Sequence, residues 1–92
     1  MSDSKNIQPE EKMKLQWACR RGMLELDVLL GNFLEECYSS LSLADQKLFI
    51  LLLEEPDPTL FAWLMGHEVP SKQDFVYLTE AIRNHARNRV AR

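Results

Sequence analysis

Met23-Leu24-Glu25-Leu26-Asp27-Val28-Leu29-Leu30-Gly31-Asn32-Phe33-Leu34-Glu35-Glu36-Cys37-Tyr38 is the stretch whose spacing sets the fold class. Leu26, Leu30, Phe33 and Cys37 step by four, three and four, the pattern of one buried helical face. Leu29 and Leu34 widen that face, while Glu25, Asn32, Glu35 and Glu36 stay outside it. The spacing predicts a helix from about Met23 to Tyr38. Gly31 has no capping role in mid-helix, and close approach of a neighbouring helix is the reading that explains it.

Immediately before this helix stands Trp17-Ala18-Cys19-Arg20-Arg21-Gly22, where charge, glycine and apolar side chains crowd together. On a continuous helix Arg21 and Glu25 would lie one turn apart and could pair, a contribution of at most a few tenths of a kcal/mol in this order. Glycine inside a helix costs roughly 0.5–1 kcal/mol relative to alanine. Gly22 therefore marks a junction between two helices, a bare stretch of backbone for a partner, or both. Arg21, Gly22 and Glu25 are expected to form a small polar notch. Trp17 is expected in the core.

Moving outward, residues 1–8 read as a flexible N-terminal segment. Pro9 suits a first helical turn, with Glu10 and Glu11 near the positive end of the dipole. Helix one is predicted from Pro9 to Arg20 or Arg21, with Met13, Trp17 and Arg20 on one stripe and Leu15, Ala18 and Cys19 beside it. Ser42 and Asp45 have cap spacing, and helix three runs from there to Glu54. Its Leu48–Leu53 run is apolar all round, so periodicity cannot tell strand from helix there, and the cap and the total length favour a helix at the bundle centre. Glu55-Pro56-Asp57-Pro58 breaks the chain. Asp57 is then expected to cap a short fourth helix, about Thr59 to Met65, closed by Gly66. Phe61 or Trp63 is a candidate exposed docking aromatic there, and His67 a complement to the dipole. Pro70 and Ser71 open the last helix, whose stripe is Phe75, Leu78, Ile82 and then His85 or Ala86. These elements predict an all-α fold, a small five-helix bundle in a single domain over 9–88, with a basic tail at 89–92.

Composition bounds the function. The chain has 92 residues, 46% apolar and 27% charged, with a formal net charge of -3. That balance weighs against nucleic acid as the main partner, although a small helical DNA-binding regulator remains the competing class. Met1-Ser2-Asp3-Ser4-Lys5 lacks the apolar core of a secretory leader, and no run approaches the ~20 residues a membrane span requires. The expectation is a cytoplasmic protein with no membrane insertion, its Cys19 and Cys37 reduced. No metal-ligand spacing and no catalytic constellation can be assembled, so an enzyme is not expected. Cys19 beside Arg20 and Arg21 could be a reactive thiol, since cations favour the thiolate, but a buried, inert cysteine is the preferred reading.

Trp17 to Asp27 resembles the signature of the succinate dehydrogenase flavinylation (FAD assembly) factor family, whose Arg-Gly-x-x-Glu hallmark stands here as Arg21-Gly22-Met23-Leu24-Glu25. Asp57-Pro58-Thr59-Leu60-Phe61-Ala62-Trp63-Leu64-Met65 resembles the family's second block. The likeness covers about residues 12 to 90. It implies a five-helix bundle that promotes covalent attachment of FAD to a histidine of the flavoprotein subunit of succinate dehydrogenase and, in bacteria, of the related fumarate reductase. By that resemblance Arg21, Gly22 and Glu25, flanked by Trp17, Arg20, Met23 and Asp27, would form the partner-binding surface. FAD would belong to the client, with no cofactor held tightly by this chain.

Overall fold

The computed structural model describes the backbone of residues 9–91 and the side chains of 11–89. Five α-helices follow one another: α1 Pro9–Ala18, α2 Leu24–Cys37, α3 Leu43–Leu52, α4 Asp57–Leu64 and α5 Gln73–Ala91. A 3-10 turn, Tyr38–Ser40, links α2 to α3, and no strand occurs among the described residues. The expectations for residues 1–8, the Glu10 side chain and Arg92 lie outside the described residues.

The α2 stripe is the centre of the core. Leu26 and Leu30 are fully buried, Phe33 and Leu34 nearly so, and Cys37 is half-buried. Phe49 from α3, Leu60 from α4, and Leu78 and Ile82 from α5 close over them. The ring of Phe49 lies 5.6 Å from Phe33 and 5.7 Å from Tyr38. The long α5 packs against α2, α3 and α4, so it holds the bundle together. Thr79, buried on α5, satisfies its hydroxyl by donating to the Phe75 carbonyl at 2.7 Å.

Local chemistry sets the ends of the helices. Ser42 caps α3, its hydroxyl accepting from the Asp45 amide at 3.1 Å. Gly66, with φ +79°, closes α4. The His67 amide reaches the Ala62 carbonyl at 2.8 Å and the Gly66 amide reaches Trp63 at 3.2 Å, the double bond of a Schellman motif. A Cβ at Gly66 would also lie 2.9 Å from Arg83 Nη2.

Several expectations are corrected. Helix one stops at Ala18, and Leu15 and Cys19, not Met13 and Trp17, are its buried residues. No helix approaches Gly31: a Cβ there would meet nothing within 4 Å. In the Leu48–Leu53 run Phe49, Leu52 and Leu53 are buried, but Ile50 and Leu51 face solvent, because α3 is covered on one side only. Phe61 and Trp63 are half-buried against the core rather than exposed. The apolar stripe of α5 fades after Ala86, yet the helix continues to Ala91. There Arg89 donates to both carboxylate oxygens of Glu36 on α2, at 2.7–3.0 Å, and His85 meets the same carboxylate at 2.8 Å. Among the described residues no helix is long and apolar enough to cross a membrane.

Candidate partner-docking site

Between α1 and α2 the chain leaves the helical path for Cys19–Met23, and Arg21 turns inward. Its Nε donates to Asp57 Oδ1 at 2.8 Å. Its Nη1 donates to the carbonyls of Ala18, at 2.8 Å, and Leu53, at 3.0 Å; Nη2 donates to that of Glu55 at 2.8 Å. Ala18 and Leu53 sit at the C-terminal ends of α1 and α3, where carbonyls lack intrahelical partners and a cation is favourable. One guanidinium thus ties together the end of α1, the end of α3 and the start of α4.

Asp57 completes the clamp. Its second carboxylate oxygen accepts the Gly22 amide at 3.0 Å, and a Cβ at Gly22 would meet that same oxygen at 3.5 Å, ordinary contact. The Arg21 bond first, and the Gly22 amide second, hold the Asp57 carboxyl below the usual carboxylate range. Asp27 folds back from the first turn of α2 and accepts the Arg21 backbone N–H. The Arg21–Glu25 pair that a continuous helix would allow does not form, since the chain is not helical between them and Arg21 is held by Asp57. Nor does Asp57 cap α4: Pro56 occupies that position, and the Asp57 carboxylate is engaged by the Arg21 loop.

The other motif residues face outward to different degrees. Trp17 is 68% exposed, and the Arg20 guanidinium stacks over its ring at 5.3 Å from the centroid. Gly22 and Glu25 are exposed; Met23, the residue preceding α2, is half-buried against the core. Glu25 makes no ion pair among the described residues. Arg21, Gly22, Asp27 and Asp57 are therefore brought together as one network, Trp17 and Arg20 as a stacked pair, and Glu25 stands apart from both. The sequence reading missed Asp57 as the partner of Arg21. It also missed the apolar depression of about 330 Å³ beside Glu25, lined by Leu24, Val28, Leu29 and Met65. Leu24 and Val28, four apart and off the buried stripe, were the available signal.

Other chemistry at the site is limited. Burial pushes the Cys19 thiol up to about 12, outweighing the attraction of Arg21, so a reactive thiolate is disfavoured. Among the described residues no group of three or more His, Cys, Asp or Glu could hold a metal ion. Of the described C-terminal arginines, Arg89 is paired with Glu36 and Arg87 donates to Asn84 at 2.9 Å.

Fold and site together define a small all-helical protein in which a half-buried charge clamp fixes an exposed polar edge. The family described as flavinator of succinate dehydrogenase matches residues 13–86, and the chain belongs to it. Among similar proteins, the FAD assembly factor SdhE of Vibrio cholerae is 59% identical over 58 residues, covering 63% of this chain and 67% of that one. That of Shewanella oneidensis is 51% identical over 79% of this chain and 89% of its own. That of Coxiella burnetii is 43% identical over 83% and 93%. A solution structure of a UPF0350 protein superposes with a TM-score of 0.77 at 43% identity, covering 94% of this chain and 92% of that one. The five-helix fold expected from the pattern is the one observed, and the family is the one that the Arg-Gly-x-x-Glu stretch resembles. By the names of its members that family is one of assembly factors.

Proposed function

We propose that this chain promotes covalent attachment of FAD to the flavoprotein subunit of succinate dehydrogenase and, where present, of the related fumarate reductase. It docks through the edge formed by Trp17, Arg20, Gly22, Met23, Glu25 and Asp27, which Arg21 holds in place. The observation that carries this reading is the division of labour within the motif. Arg21 directs its donors inward to Asp57 and three carbonyls, while Gly22 and Glu25 stay uncovered. A packing motif would have no use for an exposed, unpaired carboxylate next to exposed glycine backbone. Family membership and the names of the relatives support the same reading.

The mechanism is positional. The chain holds the immature flavoprotein so that its histidine meets the flavin ring in a reactive orientation, a contribution that binding alone can supply. FAD stays with the client throughout. The test is reconstitution of the apo flavoprotein subunit with FAD, with and without this chain, read by in-gel flavin fluorescence after denaturation. A fluorescent client band that strengthens with the chain supports the reading. Equal bands in both lanes contradict it.

A further inference from the structure

We propose that the outer face of α3, with the cleft it forms against the start of α5, is a contact between two copies of this chain. The inference does not depend on the flavinylation reading. A helix that is apolar all round is ordinarily buried all round. The run Leu48–Leu53 is of that kind, yet this chain covers only the side carrying Phe49, Leu52 and Leu53. On the open side Leu43 is 74% exposed and Leu51 52%, with Ile50 between them in the stripe. These residues recur at helical spacing along one face. Tyr77 of α5, also exposed, stands across the cleft and reaches Asp45 with its hydroxyl at 3.4 Å.

The charges point to a second copy rather than to another partner. The cleft, about 430 Å³, is lined by Asp45, Lys47, Leu48, Leu51, Asp74 and Tyr77. Lys47 forms no ion pair with Asp45, Asp74 or any other acid among the described residues. One face thus carries a cation and two carboxylates, none in an ion pair among the described residues, around an apolar stripe. Such a face is complementary to itself: under two-fold symmetry Lys47 of each copy meets the carboxylates of the other while the leucines close on each other. A partner of single charge sign would leave either Lys47 or the acids opposed by like charge. The Arg21 loop meets the chain just past α3, at the carbonyls of Leu53 and Glu55, and neither Gly22 nor Glu25 lines this cleft.

Sedimentation equilibrium of the full chain from about 1 to about 300 μM tests this, a range that spans a transient micromolar contact. Wild type is expected to rise from 10.7 kDa toward twice that mass. Leu51→Glu should stay at the monomer mass throughout, with unchanged helical circular dichroism and undiminished client flavinylation. Lys47→Glu should weaken association by about tenfold or more, and adding Asp74→Lys should restore it. Wild type remaining at 10.7 kDa at the highest concentration overturns the proposal. So does a dimer that Leu51→Glu leaves intact. A monomeric wild type whose client binding is lost in Leu51→Glu assigns the face to the client and equally overturns self-association.

Discussion

Gly31 and Gly66 both belong to helices or their ends, and substituting them should move stability in opposite directions. At Gly31 a methyl group meets open space in mid-helix, so Gly31→Ala should stabilise by about 0.5–1 kcal/mol. At Gly66 the backbone is left-handed and Arg83 stands over it, so Gly66→Ala should cost roughly 1–2 kcal/mol or more. Urea melts of both variants check the pair of signs; a loss at Gly31 would mean that something does occupy that space. Sequence patterning identifies Gly66 because helix termination is local. It misreads Gly31 because the neighbour it infers is a matter of tertiary packing. Trp17 fails for a related reason. Its size argues for burial, but α1 is covered only along Leu15 and Cys19, and Trp17 lies beside Arg20 on the open side.

At the scale of elements, α5 is fastened to α2 beyond the end of its apolar stripe by Glu36. The Arg89 hydrogen bonds first, then that of His85, lower the Glu36 carboxyl from 4.5 to about 2. A carboxylate whose folded pKa is depressed contributes stability above its unfolded value and loses it as pH falls through the folded one. The contribution is therefore whole above 4.5 and fades between 4.5 and about 2. Thermal melts of wild type and Glu36→Gln should differ at neutral pH, and the gap should close as pH falls through that window. A gap that persists at the acid end would show that the ion pair is not its source. The C-terminal arginines read in sequence as a loose basic tail, because a partner 53 residues away leaves no local trace. The α2 and α5 stripes were legible for the converse reason: their burial is written at spacings of three and four.

For the whole molecule, the five-helix plan follows from its stripes, prolines and caps, each a local signal. What joins the two sequence blocks does not. Arg21 and Asp57 are 36 residues apart, and each had a local reading, one as a weak helix-surface pair and the other as a cap. The fold discards both explanations to make one clamp, which leaves Glu25 outside with nothing to hold. This separation gives the most direct test of the central claim, that the motif's exposed edge acts on a client and not on this chain's own stability. The measurement is a thermal melt paired with in-gel flavin fluorescence of the client for Glu25→Ala, with Leu30→Ala as control. Glu25→Ala should change stability by no more than about 0.5 kcal/mol and yet abolish flavin attachment. Leu30→Ala, at a fully buried position, should cost roughly 2–5 kcal/mol and lose activity only in proportion to unfolding. A Glu25→Ala protein that melts normally and still gives full flavin attachment would contradict the account.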